Sequence, residues 1–339
     1  MCLCEVDSHY FNPLLTLEAY ASDKRCVSSP SGNTYEIRDF LGKGIFGEVY
    51  TVQNIETGDI FALKMGKIRS GIKDQLDREI YVYEKIEKLD EDDKMSFGTM
   101  IESFQTDKYI FIIMELYKYD LLNFLSKRNY NGVPLSFIQK VLRDIVPGIL
   151  TLKNHNIIHC DLKLENLAVS IDSQVKIIDF GSSILEGETI PDYAQSRYYR
   201  APEVILNLEK NYKVDIWSLG CIAVELYAGL PIFAGESEEQ MLQLIQKRVG
   251  KFPISMIKKT PRMKEFFKGS KVKSTKRLYD KCYNNLHLEQ IINEIKFASD
   301  NDDTKQMFIS LVKGMLQIDP EKRFTIEEVS DHPFLQNDI

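Results

Sequence analysis

From Tyr35 the chain alternates short apolar runs with turn residues, as strands do. The segments YEIRDFLGKG, EVYTVQNI and DIFALKM, starting at Tyr35, Glu48 and Asp59, are rich in β-branched and aromatic residues. Glycines and the turn signal Glu56-Thr57-Gly58-Asp59 separate them, which predicts a three-stranded antiparallel meander. The period then changes. Between Lys73 and Leu89 the apolar side chains Leu76, Ile80, Tyr83, Ile86 and Leu89 recur every three or four positions with charges between them, the pattern of an amphipathic helix. The run Tyr109–Leu116 is long, apolar and bounded by polar residues, which suits a buried strand.

Beyond Leu116 helical spacing dominates, over 121–126, 136–154, 214–228, 237–249, 288–297 and 304–316, with Ser136 as the expected cap of the second helix. Pro147-Gly148 falls inside that helix, and an interior proline costs about 3 kcal/mol through its missing N–H. The apolar spacing continues through Ile149 and Leu152, so a kink is expected there and not a break. The fold class is therefore α+β and bilobal. A small β-rich N-lobe with one main helix (35–117) passes through a hinge near Glu115–Lys118 into a larger, mainly helical C-lobe (118–335). Residues 1–34 form an N-terminal extension.

Composition narrows the function classes. The 339 residues are 44% hydrophobic and 27% charged, ordinary for a soluble globular chain that can bury its own core. A net charge of −7 disfavours nucleic acid as the main partner. The basic island from Lys258 to Lys281, broken by Pro261, Gly269 and Ser270, reads as a solvated loop. No stretch of about 18 apolar residues suggests a membrane span, and the N-terminus MCLCEVDSHYF lacks the pattern of a signal peptide. Six cysteines (2, 4, 26, 160, 221, 282) show no partnered spacing, so reduced thiols and a cytoplasmic or nuclear location are expected. A monomer is expected.

Candidate chemistry lies in three segments. Gly42-Lys43-Gly44-Ile45-Phe46-Gly47-Glu48-Val49 places glycines where backbone N–H groups approach phosphates closely. A dinucleotide fingerprint would need a helix next, but the strand Val49–Val52 follows and the dehydrogenase reading fails. Phe61-Ala62-Leu63-Lys64 ends an apolar strand on a lysine, and Glu79 lies on the apolar face of the following helix, where a charge needs a partner. A Lys64–Glu79 pair would hold the lysine against the α- and β-phosphates. His159-Cys160-Asp161-Leu162-Lys163-Leu164-Glu165-Asn166 comes third, followed by the strand Val175–Ile178 and Asp179-Phe180-Gly181. Phosphoryl transfer needs a carboxylate to orient the attacking hydroxyl, a cation to offset charge on the moving group, and oxygen ligands for magnesium. Asp161, Lys163, Asn166 and Asp179 supply these in turn.

With Ala201-Pro202-Glu203, the helix start Asp215-Ile216-Trp217-Ser218-Leu219-Gly220 and Arg323, this set resembles the eukaryotic protein kinase family from about Tyr35 to Phe334. The resemblance implies the bilobal protein kinase fold, ATP with Mg2+ as cofactors, and proteins bearing Ser or Thr as partners. It further implies that Asp161 orients the acceptor hydroxyl, Asn166 and Asp179 hold the metal, and Lys64 with Glu79 positions the phosphates. Leu41, Gly42, Lys43, Gly44, Ile45, Phe46, Gly47, Val49 and Ala62 would contact the nucleotide, with Met114 as gatekeeper, Glu115 and Leu116 as hinge, and Ala168 and Ile178 closing the adenine pocket. Arg323 would pair with Glu203. Lys163 in Asp-Leu-Lys is similar to serine/threonine kinases.

The run Tyr193-Ala194-Gln195-Ser196-Arg197-Tyr198-Tyr199-Arg200, with His-Cys-Asp, Asp-Phe-Gly-Ser-Ser, Pro231-Ile232-Phe233 and an insert within about 250–303, resembles the dual-specificity tyrosine-regulated (DYRK) kinases of the CMGC group. That likeness implies autophosphorylation of Tyr193, a clamp on its phosphate from Arg197 and Arg200, and, through Arg200, tolerance of proline after the target residue. The pattern departs at Pro191, where the family has a first tyrosine, at Leu164, where it has proline, and at Ala168, where a larger side chain would support adenine. Cys160 stands where most kinases carry an arginine that reads a phosphate, so that switch is expected to be absent. A homeodomain-interacting-like subgroup and a pseudokinase scaffold remain as alternatives. A cyclin-dependent reading lacks a PSTAIRE-like run at 76–80.

Overall fold

Lys73 and Met100 are the seams at which the chain divides. In the computed structural model, which describes residues 26–338 apart from 45, 46, 70, 186, 274–281, 284 and 285, one compact unit holds the described residues up to Lys73 with Met100–Leu116. The other holds Asp74–Thr99 with the described residues from Tyr117 onward.

The first unit is an antiparallel sheet of β1 (Cys26–Ser28), β2 (Thr34–Lys43), β3 (Glu48–Asn54), β4 (Ile60–Lys67), β5 (Met100–Gln105) and β6 (Tyr109–Glu115), in the order β1-β2-β3-β4-β6-β5. The expected meander is β2–β4. Two edge strands carry too little apolar alternation to be seen in advance. β1 pairs Cys26–Ser28 with Thr34–Glu36, so the sheet begins ahead of Tyr35. β5 is fastened by Glu102, which accepts from Ser31 Oγ at 2.6 Å, Asn33 Nδ2 at 2.9 Å and Tyr35 Oη at 2.5 Å. One face of the sheet buries Tyr35, Tyr50, Val52, Leu63, Met65, Phe111 and Ile113. Successive residues of a strand point to opposite faces, so burying Leu63 and Met65 turns Ala62 and Lys64 the other way.

The second unit contains α1 (Ile72–Ile86, all but its first two residues), α2 (Glu91–Lys94), the three-stranded sheet β7 (Tyr119–Asp120), β8 (Leu167–Val169) and β9 (Val175–Ile177), and the helices α3 (Leu121–Lys127) and α4 (Leu135–Asn154). Next come α5 (Pro202–Ile205), α6 (Lys213–Ala228), α7 (Glu238–Arg248), α8 (Ile254–Lys259), α9 (Met263–Phe266), the hairpin β10 (Phe267–Lys268) and β11 (Lys271–Val272), α10 (Leu288–Glu294), α11 (Asp302–Met315), α12 (Ile326–Ser330) and α13 (Pro333–Gln336). The axis is α6, buried on every side from Val214 to Tyr227.

By its contacts α1 groups with the helical unit, where the Tyr83 ring meets Phe180 edge-on at 5.0 Å and Arg78 pairs with Glu188. Two expectations are corrected. Ser136 lies inside α4; Pro134 precedes the helix, and Asp300 Oδ1 accepts from Leu135 N at 3.1 Å. Part of the basic island is folded, as the end of α8, α9 and a hairpin, since Phe266, Phe267 and Val272 are buried between the lysines; residues 274–281 of the island lie outside the described residues. As expected, α4 runs on through Pro147, and Arg323 meets Glu203 in a buried fork of 2.6 and 2.8 Å. Among the described residues no helix is long and apolar enough to cross a membrane.

Candidate active site

Register alone assembles one half of the candidate groups. In the large sheet Val49 lies opposite Lys64 and Gly42 opposite Val49, while Ala62 lies opposite Met114 and Phe61 opposite Glu115. Directly opposed residues share a face, so Val49, Ala62, Lys64 and Met114 stand together on the face that the core leaves. Leu41, Gly42 and Lys43 end β2, and Lys43 pairs with Glu48 at 3.1 Å across the hairpin. Gly44 N donates to Gly47 O at 2.9 Å to close the turn. Gly47 has no room for a side chain: a Cβ there would fall 2.2 Å from Met65 O. Ile45 and Phe46 lie outside the described residues. Leu116 directly follows β6.

The other half is held by long-range hydrogen bonds in the helical unit. Asp215, buried in the first turn of α6, accepts from His159 N at 2.7 Å and from Cys160 N at 3.0 Å. Burial pushes its carboxyl up, and His159 and these N–H groups hold it back. The loop they anchor is bent through left-handed backbone, with φ of 61° at Cys160 and 65° at Asp179. His159 Nδ1 accepts from Asp161 N at 3.2 Å, and its Nε2 lies 3.2 Å from Ile178 O. Phe180 packs among His159, Tyr83 and Phe97 with ring separations of 5.3, 5.0 and 6.0 Å.

Asp161 sits at the centre of a converging set. Its Oδ2 accepts from Lys163 Nζ at 2.7 Å, its Oδ1 from Ser196 Oγ at 2.7 Å and Ser196 N at 3.0 Å, and its backbone O from Asn166 Nδ2 at 2.8 Å. Burial pulls the Lys163 ammonium down, but Asp161 outweighs it and the group sits above the ordinary lysine value. Asn166 gives its amide nitrogen to Asp161, which leaves its carbonyl oxygen free of that bond. An amide oxygen and a carboxylate such as that of Asp179 are hard oxygen donors of the type that would suit magnesium. Ala168 is buried in β8, between Asp120 and Lys176, and Ile178 N donates to Asn166 O at 3.0 Å. Glu79 is buried on α1.

Residues 35–335 match the family model of the protein kinase domain. The chain belongs to the protein kinase family. A kinase domain implies ATP as co-substrate. Among curated relatives, the kinase is 34% identical over 303 residues to the DYRK-family kinase pom1 of Schizosaccharomyces pombe, covering 89% of this chain and 27% of that protein. It is 34% identical to the dual specificity tyrosine-phosphorylation-regulated kinase 2 of Drosophila melanogaster, over 89% of this chain and 41% of that one. It is 32% identical to the dual specificity protein kinase YAK1 of Saccharomyces cerevisiae, over 89% and 42%. The chain thus spans less than half the length of each of these three relatives.

In this kinase Tyr193 and Arg200 also come together. The Arg200 guanidinium lies 3.9 Å over the Tyr193 ring, and Arg200, with Arg197, pulls the Tyr193 phenol below its ordinary pKa. Tyr193 is 67% exposed whereas Arg200 is 2% exposed and tied to Ala194 O, Gln195 O and Glu238 at 2.8, 2.9 and 3.4 Å. Three residues that hold these groups stood in the sequence only as members of longer runs. Ser196 shares Asp161 with Lys163. Gln195 joins Val214 O and Ser218 Oγ, at 2.9 and 2.8 Å, to Ala201 N at 2.9 Å. Asp215 was noted only as part of a helix start; a lone carboxylate opening so apolar a helix is the signal that could have marked it.

Proposed function

We propose that the chain is an ATP- and magnesium-dependent serine/threonine kinase that also phosphorylates its own Tyr193. The observation that carries this reading is the Asp161 carboxylate, oriented by Ser196 and Lys163 while Asn166 fixes its backbone. Asp161 takes the acceptor hydroxyl and aligns it for in-line attack. Lys163 offsets charge on the transferring phosphoryl group. Asn166 and Asp179 hold magnesium, which when bound neutralises charge between the phosphates. Lys64, supported by Glu79, is assigned to the α- and β-phosphates, and the glycine turn 42–47 to their backbone cradle. Leu41, Val49, Ala62, Met114, Glu115, Leu116, Ala168 and Ile178 are assigned to adenine.

Tyr193 lies exposed beside two arginines, which supports its modification, since a phosphate there gains charge-assisted bonds. Cys160 brings no cation to the catalytic loop, and burial keeps its thiol protonated. Ordering of the activation segment by Tyr193 with Arg197 and Arg200 follows. Arg200 also carries the proposed tolerance of proline after the target.

Purified chain with magnesium-ATP and a basic serine/threonine peptide tests the reading. Turnover that disappears in Asp161→Asn supports it; labelling equal in both proteins refutes it. Mass spectrometry finding no phosphate on Tyr193 removes the autophosphorylation claim, and a peptide array indifferent to the following proline removes the proline claim.

A further inference from the structure

Arg78 and Glu188 meet in a forked ion pair. Nη1 and Nη2 of the arginine donate to Oε2 and Oε1 at 2.6 and 2.8 Å. Arg78 belongs to α1, and Glu188 to the segment that runs from Asp179-Phe180-Gly181 to Ala201-Pro202-Glu203. The carboxylate has a third donor, Leu185 N at 2.9 Å, while Glu188 N returns to Leu185 O at 3.0 Å. Gly187, at φ 81°, lets this turn close. One side chain therefore shapes the turn 185–188 and grips the helix. Arg78 in turn draws the Glu188 carboxyl below the usual range.

The pair is only half-buried, at 27% and 38% side-chain exposure. A single-pronged pair so placed contributes little. The fork and the backbone donor give this one direction as well as energy. Direction matters because α1 is held to the same segment at a second point, where Tyr83 packs on Phe180 and its hydroxyl accepts from Asp179 N at 3.4 Å. Two attachments fix the rotation of a helix where one leaves it free to roll. Glu79 follows Arg78 directly and is buried on the same helix. In switchable kinases the segment acquires its anion by phosphorylation, and an arginine then orders it. Here a carboxylate written into the chain already occupies the arginine.

We propose that Arg78 and Glu188 are positioning residues for phosphoryl transfer, holding α1, and with it Glu79, in working register through a permanent charge that needs no modification. This rests on the kinase reading above for its catalytic consequence.

Hydrogen exchange on the full chain tests it without requiring turnover. Glu188→Gln and Arg78→Gln should each speed exchange in α1 and in 183–190 together. The exchanged pair Arg78→Glu with Glu188→Arg should restore protection of α1, though not the Leu185 turn. In peptide phosphorylation each single variant should lose about fivefold or more in kcat, the lower end of a typical coupling. The peptide KM and the phosphate content of Tyr193 should hold, and the exchanged pair should regain kcat. Single variants that match wild type, faster exchange confined to 183–190, or an exchanged pair as impaired as the singles would each overturn the proposal. Wild type no more active than Asp161→Asn would instead sink the kinase reading, and the exchange result would still decide whether the pair holds α1.

Discussion

The face of the large sheet and the catalytic loop present kinase groups by opposite means. Lys64, Ala62, Val49 and Met114 need nothing beyond strand pairing: once Leu63 and Met65 are buried, the pleat decides where their neighbours point. The loop from His159 to Asn166 has no such period. It turns through left-handed backbone at Cys160 and is held by Asp215, a residue of a distant helix. The sheet site is therefore distributed over many small contributions, whereas the loop depends on a few buried bonds that have no substitute.

Substitutions should separate the two. The largest effect is expected at the centre of the loop. Asp161→Asn keeps the shape of the side chain and removes the proton acceptor, so kcat should fall by about a thousandfold while thermal unfolding is unchanged. A folded variant that retains turnover would break the assignment of chemistry to this region. Asp215→Ala comes next. It leaves two buried N–H groups without an acceptor, at about 1–3 kcal/mol each, and denaturant unfolding should show the loss together with reduced kcat. Loss of kcat with full stability would mean that Asp215 acts on substrate and not on the loop.

A pH series sharpens the contrast through Glu225 on α6, whose carboxyl burial pushes up to about 8 against a hydrogen bond from Tyr199 that favours its ionised form. The unfolded chain releases this proton near the ordinary 4.5, the folded one near 8. The group's contribution is thus fully present below about 4.5 and is lost as pH rises toward 8. Wild type should lose urea resistance across that window more steeply than Glu225→Gln; parallel profiles would show that the carboxylate is ionised without cost. The smallest effect belongs to the sheet. Gly47→Ala must move the turn away from Met65 O, and KM for ATP should rise a few-fold, about 1 kcal/mol of binding, with kcat nearly intact. A collapse of kcat would show that the sheet site is as intolerant as the loop.

Much of this was legible in one dimension. The meander, the strand Tyr109–Glu115 and most helix cores follow from periods of two and 3.6, and they recur where those periods place them. The motifs around Asp161 and Asp179 declared phosphoryl transfer because their chemistry depends on close spacing within the chain. Tyr193 and Arg200, which meet at 3.9 Å, also stand close together in the sequence. What stayed hidden has partners far off in sequence. Ser196 is merely a serine until the fold brings it to Asp161. Ser136 has the right type for a cap, but Asp300 takes that bond from outside the helix. The lysines of the island mask the buried Phe266, Phe267 and Val272 that fold it.

Sequence by itself determined the chemistry and the direction of each side chain along its own element, since both are local properties of spacing and backbone period. Only tertiary structure decided which unit α1 joins, which carboxylate holds the catalytic loop, and that Glu188 is the anion for Arg78. Each of these is a choice among many chemically equivalent partners, and packing, which brings distant positions within bonding distance, makes that choice.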